Sequence, residues 1–290
     1  MSRHPVLAPR LGAILLLAAV LLGAALSPGA LAGQAPAPPR APRAAPVWWH
    51  VTYYKIPFRE ADSVVALWKA YDAPVWEELK RTGVLADYVL LRHEMADDEN
   101  LILVQKYASW AAIVDTAPAV VTRRLDPDST KRAARAAAFR GLSPISHRDG
   151  IYIEQASLAE PRAGRQARPR SGDAPRWVIS YYKVDWPKVD SLVALQRAYT
   201  APTNTALREA GVLSDWKVLV HNFAGTENVL YVWKYPSWAA IQDTSAAAIG
   251  RRLQPDSARR AAVGDAFRGV AGSGEHRDGI YTQVLPAPRP

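Results

Sequence analysis

Apolar and aromatic positions alternate with polar ones over residues 48–56, the period-two pattern of a strand. The period then lengthens. Val64, Leu67, Trp68, Tyr71, Val75 and Leu79 follow Asp62-Ser63 at helical spacing, and that pair supplies N-cap chemistry. Pro74 interrupts the run, which predicts a kink or two abutting segments, and Gly83 suits the position just past a helix end. Alternation returns over Tyr88–Met95 and Leu101–Tyr107. The polar stretch Ala96-Asp97-Asp98-Glu99 between them predicts a hairpin. Ser109 is placed to cap a short helix carrying Trp110 and Ile113, with Trp110 read as a core anchor. A second helical stretch, rich in Ala and basic residues, follows Asp128-Ser129, and the last strand is Gly150–Gln155. The order is β-α-β-β-α-β.

The pattern occurs twice. Trp49-His50-Val51-Thr52-Tyr53-Tyr54-Lys55 is echoed by Trp177-Val178-Ile179-Ser180-Tyr181-Tyr182-Lys183, at an offset of 128 that holds without a gap to Gly141. One inserted residue then brings His147–Tyr152 onto His276–Tyr281. Roughly half of the aligned positions are identical, so the chain is a tandem duplication. The fold class expected is α+β: two ferredoxin-like domains over residues 47–155 and 176–285. A Pro/Arg/Ala/Gly-rich linker at 156–175 joins them, and 286–290 form a tail.

The faces of the hairpin say how the copies meet. An even turn centred on Asp97-Asp98 pairs Leu91 with Val104 and His93 with Ile102. One face then carries Val89, Leu91, His93, Met95, Ile102, Val104 and Lys106. The other carries Tyr88, Leu90, Arg92, Leu101, Leu103, Gln105 and Tyr107. Both faces are largely apolar, so both are expected to be covered, one by the copy's own helices and the other by the sister sheet. The element order, the Tyr-Tyr-Lys strand, the Gly-Val-Leu turn into strand two and the Lys-Tyr-x-Ser-Trp step after strand three resemble the dimeric α+β barrel superfamily. That resemblance implies an intramolecular pseudo-dimer and says little about activity, because the superfamily spans small monooxygenases, haem-degrading enzymes, cyclases and stress-response proteins.

Composition narrows the chemistry. The chain has 36 Lys+Arg against 27 Asp+Glu, a formal charge of +9, but part of the excess lies in the leader and the linkers. No cysteine is present, which excludes disulfides, zinc-thiolate sites and thiol nucleophiles. Arg3 and Arg10, the apolar run Leu11–Leu26 and Ala30-Leu31-Ala32 form a secretory leader over residues 1–32. A Pro/Ala linker at 33–46 follows, so the mature chain is expected to be exported, periplasmic or extracellular, with no stable membrane insertion.

His93 and His221 occupy the same strand position in both copies, with Lys106 and Lys234 on the same face. That face has more residues shared between copies, which assigns it to the helix side and makes the histidines candidate catalytic bases. Tyr54, Tyr182, Tyr71 and Tyr199 are candidate ligand-binding residues with the two lysines. His147-Arg148-Asp149-Gly150 and His276-Arg277-Asp278-Gly279 read as turns before the last strands, with no metal ligand set at convincing spacing. The basic Arg123-Arg124 and Arg251-Arg252 strips lack interleaved aromatics, so no nucleic-acid partner is expected. The expected partner is a small hydrophobic or aromatic molecule in a sheet–helix cavity, with no cofactor. The alternatives are a cofactor-independent or haem-dependent monooxygenase-like enzyme and a non-catalytic interaction domain. Oligomeric state stays open, since the duplication removes the usual need to dimerise.

Overall fold

The computed structural model describes residues 45–286 apart from 96–98, 116–120, 122, 124–126, 143–144, 159–173, 224–226, 244 and 272–275. The expected leader, most of both linkers and the hairpin tips lie outside the described residues.

Copy one comprises β1 (Trp48–Lys55), α1 (Ala61–Leu67), α2 (Ala73–Arg81), β2 (Asp87–Met95), β3 (Leu101–Tyr107), α3 (Trp110–Asp115), α4 (Ser129–Arg140) and β4 (Ser146–Ser157). Copy two comprises β5 (Arg176–Tyr182), α5 (Val189–Leu195), α6 (Ala201–Glu209), β6 (Asp215–Phe223), β7 (Val229–Tyr235), α7 (Trp238–Ile241), α8 (Ser245–Leu253), α9 (Ser257–Ala271) and β8 (His276–Leu285). No helix among the described residues is long and apolar enough to cross a membrane.

The helix interruption expected at Pro74 and Pro202 is a π-helical turn, Trp68–Asp72 and Gln196–Thr200, ending just before each proline. It changes what one helix face presents. At about 100° per residue, positions eight apart in a plain α-helix drift roughly 80° off a common face. A wider π turn followed by an α turn brings them back into line. Trp68 and Trp76 thereby both reach the sheet, as do Gln196 and Asn204.

The eight strands form one closed barrel in the order β1-β3-β2-β8-β5-β7-β6-β4. Every neighbouring pair is antiparallel, and the copies are joined by β2–β8 and β4–β6. Closure leaves no open edge in the sheet. Because β1 and β5 lie four places apart in an antiparallel ring, they point the same way, and equivalent residues of the two copies gather at the same end.

The β2–β3 register differs from the expected one by two residues. Leu91 faces Ile102, and the His93 backbone N–H donates to Asn100 O at 2.9 Å. A slip of two preserves the faces, but the assignment of those faces is reversed. Val89, Leu91, Ile102 and Val104 pack inside the barrel with Trp49, Val51, Tyr53 and their copy-two counterparts. Tyr88, Leu90, Leu101, Leu103 and Tyr107 face the helices. The face bearing His93 and Lys106 is therefore the barrel side and not the helix side.

The two His-Arg-Asp-Gly stretches are not turns. Both lie inside strands, with His147, Arg148, Asp149 and Gly150 opposite Tyr54, Tyr53, Thr52 and Val51. Gly150 has no positive φ; among the described residues the left-handed glycines are Gly83 (φ 75°) and Gly211 (φ 77°), at the helix ends where one was expected. Gly150 makes room instead. A Cβ there would lie 2.6 Å from Tyr152 Cε2, so the Tyr152 ring folds back over the glycine.

The strand alternation sends Arg148 and Arg277 to the barrel side. Arg148 stacks on Tyr53 (3.9 Å to the ring centre) and pairs with Glu99 (2.8 Å) and Glu227 (3.0 Å). Arg277 stacks on Tyr181 (4.0 Å) and pairs with the same two glutamates (2.6 and 3.2 Å). Beneath this four-residue ring, Tyr53 and Tyr152 hydroxyls lie 3.4 Å apart and those of Tyr181 and Tyr281 3.1 Å apart. Burial first, then Tyr152 and Tyr181, pushes the Tyr53 phenol well above its ordinary pKa, against the opposing pull of Arg148.

Local end signals behave as their chemistry suggests in most places. Ser109 and Ser237 accept from Ala112 N (3.1 Å) and Ala240 N (3.2 Å), and Asp128 accepts from Thr130 N (2.8 Å) and Lys131 N (3.3 Å). Asp62 is not a cap: α1 starts at Ala61, and Asp62 sits in its first turn. Trp110 is not a core anchor, being 41% exposed.

Candidate functional site

The residues singled out in the sequence do not assemble into one site. His93 and His221 are half-buried at the upper end of the barrel, their rings 5.7 Å from those of Tyr281 and Tyr152. Burial lowers the His221 pKa, and a backbone hydrogen bond at Phe223 opposes it. Lys106 and Lys234 stand at the other end, 5.5 Å from the Trp49 ring and 5.0 Å from that of Trp177. His93 lies opposite Asn100 and Lys106 opposite Asp87, so about 20 Å of strand separates them. Burial lowers the Lys234 pKa and Lys217 adds to this, with Asp215 and Asp87 opposing.

Tyr54 and Tyr182 are on the opposite sheet face, under the helices. Tyr54 packs on Trp68 at 4.8 Å and Tyr182 on Tyr231 at 4.8 Å. Tyr71 and Tyr199 are half-buried on the π turns. Tyr199 lines a surface cavity of about 210 Å³ with Pro202, Thr203, Leu253 and Arg259, outside the sheet–helix core.

Among the described residues, the void inside the barrel is too small for a ligand. The void between Trp49, Trp177, Lys217 and the valines beneath them is about 10 Å³, at the lower limit for one water.

The two sheet–helix layers differ sharply. In copy one, Trp68, Trp76 and Tyr88 fill the layer, with ring centres 6.5 Å (Trp68–Trp76) and 5.1 Å (Trp76–Tyr88) apart. The Tyr88 hydroxyl escapes to Glu77 at 2.8 Å. The corresponding positions in copy two, together with that of Leu103, are Gln196, Asn204, Trp216 and Tyr231.

All four are buried: Gln196 5%, Asn204 4%, Trp216 0% and Tyr231 4% exposed. Gln196 Oε1, Asn204 Nδ2, Trp216 Nε1 and the Tyr231 hydroxyl have no hydrogen-bond partner among the described residues. Strand pairing sets Trp216 opposite Trp233 and Val218 opposite Tyr231, so Trp216 and Tyr231 are diagonal neighbours on the helix-facing side. Burial first, then the Tyr182 phenol, raises the Tyr231 pKa; the Gln196 side chain, near the hydroxyl though outside hydrogen-bond geometry, offsets part of the rise. The sequence carried this signal in the Trp68→Gln196 difference between copies, whose meaning depends on which face is the helix side.

A second cluster lies where β1 and β4 of copy one meet, also under the helices. Asp149 Oδ1 receives the Thr52 hydroxyl at 2.7 Å and faces His50 Nε2 at 3.0 Å. His147 Nε2 lies 3.5 Å from Asp149 Oδ2. Burial raises the Asp149 pKa, but the hydrogen bonds from His50 and Thr52 and the charges of His50 and His147 outweigh it, and the carboxyl is held below its ordinary range. Reading His147–Gly150 as a turn hid this cluster. Antiparallel pairing of β1 with a longer β4 reveals it.

Among the described residues, no group of three or more His, Asp or Glu side chains is placed to hold a metal ion. No protein-family model and no curated protein matches the sequence. Solved structures resemble it in shape. An anthrone oxidase-like protein is 13% identical with a TM-score of 0.47, over 83% of this chain and 92% of that one. A candidate monooxygenase from Lactobacillus acidophilus NCFM is 5% identical with a TM-score of 0.49, over 82% and 94%. A variant chlorite dismutase from Candidatus Nitrospira defluvii is 9% identical with a TM-score of 0.43, over 83% and 92%. Likenesses this distant carry no chemistry across. The chain's own strand order and its two β-α-β-β-α-β halves make it a dimeric α+β barrel, written as a tandem duplication in one chain.

Proposed function

We propose that the protein binds a small uncharged molecule in the sheet–helix layer of copy two. One observation carries this reading: four buried polar atoms of that layer lack hydrogen-bond partners, where copy one has a filled aromatic layer. Each unsatisfied buried group costs about 1–3 kcal/mol, so four cost on the order of 4–12 kcal/mol. That rivals the roughly 5–15 kcal/mol that stabilises a whole domain. A guest that meets them gains most of that back.

The set prescribes the guest. Asn204 Nδ2 and Trp216 Nε1 donate, Gln196 Oε1 accepts, and Tyr231 can do either. The walls are Leu192, Leu207, Val218, Val263 and Phe267. The guest is therefore a hydrophobic or aromatic body carrying hydroxyl or carbonyl groups and no charge. Export belongs to the proposal as well: a mature secreted chain starting near Gly33 is the expected product of the leader.

Native mass spectrometry of the purified chain tests the reading. The wild type is expected to carry a co-purified mass. The quadruple variant Gln196→Trp/Asn204→Trp/Trp216→Tyr/Tyr231→Leu, which rebuilds the copy-one layer, is expected to lose it while remaining folded. A crystal structure of the wild type with only water on these four atoms sinks the proposal.

A further inference from the structure

The duplication supplies an internal control for the Asp149 cluster. In both copies a hydroxyl of the first strand holds the aspartate of the last one: Thr52 with Asp149, and Ser180 with Asp278. In both, a histidine two residues earlier lies 3.5 Å from the other carboxylate oxygen. That much is shared architecture. His50 is not shared; its counterpart is Val178, buried among apolar neighbours. Copy one thus carries a first-strand imidazole beside a carboxylate that copy two positions without one.

The geometry assigns His50 its tautomer. With Nε2 turned to Asp149 at 3.0 Å, the neutral ring donates Nε2–H and carries its lone pair on Nδ1. The carboxylate orients the ring, as in other aspartate–histidine pairs that accept protons. The His50 side chain is 25% exposed, so it is reachable from outside. Two residues back on the same face, Trp48 packs against the exposed Trp110 at 5.3 Å, an aromatic platform beside the imidazole.

We propose that His50 and Asp149 form a proton-accepting site for a weakly acidic aromatic hydroxyl compound seated against Trp48 and Trp110. The ligand O–H bond breaks, its proton passes to His50 Nδ1, and Asp149 holds the imidazolium while the phenolate stays bound. The step needs no oxidant or co-reactant. The other titratable groups bearing on it are His147 from β4, Tyr54 from β1 and the Asp72–Arg135 pair in the helical layer. Tyr54 does not compete, because burial first and then Asp149 and Asp72 keep its phenol protonated.

The probe is 4-nitrophenol, whose phenolate absorbs visibly, held at one pH just below its own pKa with the full mature chain in excess. The wild type is expected to raise the phenolate-to-phenol ratio at least threefold. His50→Val, the residue copy two already accommodates, and His50→Gln, which stays polar but cannot take the proton, are both expected to abolish the rise. Val178→His is expected to create a second, weaker one. Because the copy-two site also accepts an uncharged phenol, the ratio is read in the background with the copy-two layer rebuilt. An unchanged ratio there overturns the proposal, as does a rise that survives in either His50 variant, so this site and the copy-two site fail separately.

Discussion

Replacing Gly150 with alanine tests the most confined contact in the barrel. The added Cβ would lie 2.6 Å from Tyr152 Cε2 and 2.7 Å from its hydroxyl oxygen. Ordinary carbon contacts run about 3.5–4.0 Å, so the ring must retreat by about 1 Å. It has nowhere to go: Tyr152 is fully buried, with its hydroxyl 3.4 Å from that of Tyr53 and its ring against His221. Overpacking of this kind costs about 1–3 kcal/mol, and disturbing the hydroxyl contact adds about 1 kcal/mol. Against this stands a gain of about 0.4–1 kcal/mol from stiffening the unfolded chain, available because Gly150 needs no positive φ. The net expectation is a loss of about 1–3 kcal/mol, a fall of several degrees in Tm for a fold of this size. Urea unfolding of Gly150→Ala, Tyr152→Leu and the double variant closes a cycle. The double variant should be more stable than the sum of the singles by about 2 kcal/mol, because the leucine no longer occupies the space above residue 150. A Gly150→Ala protein as stable as wild type, or a cycle with no coupling, refutes the steric account.

Gly83→Ala provides the contrast: nothing lies within 4 Å of its would-be Cβ, so only the φ of 75° is penalised, at about 1–2 kcal/mol by thermal unfolding. Arg277→Met leaves Glu99 and Glu227 facing a single guanidinium. The expected cost is about 2–3 kcal/mol in urea, below a fully buried pair because the arginine side chain is 31% exposed. Asp149 titrates below its unfolded value, so its contribution is present above about pH 4 and lost as pH falls through the lower folded pKa. The wild type should therefore lose its advantage over Asp149→Asn on acidification, and an advantage that grows instead contradicts the assignment. Asp128→Ala removes the carboxylate that accepts from two backbone N–H groups at the start of α4 and should cost about 1 kcal/mol.

The element order, the duplication and the covering of both hairpin faces were legible because each rests on periodicity, which short-range sterics impose directly. The identity of the faces was not. Residues shared between copies pointed to the helix side, yet they line the barrel, where the two halves meet and must match each other. The helical layers cover different halves of the barrel and were free to differ, as Trp68 and Gln196 do. The His147–Gly150 stretch misled for another reason. Aspartate and glycine are turn formers by local preference, but here pairing with β1 overrides preference, and the glycine serves a neighbouring ring. Tyr54 was rightly placed on β1, but its grouping with His93 depended on the reversed faces.

Covalent fusion of the two halves has a consequence for inheritance. In a homodimer every substitution appears twice, so a change that empties one helical layer empties both and incurs the stability loss twice. Here one half can keep Trp68, Trp76 and Tyr88 as ballast while the other trades them for Gln196, Asn204 and Trp216. The His50/Val178 difference likewise concerns one half alone. The shell remains nearly symmetric, and its two compartments are free to take up separate trades.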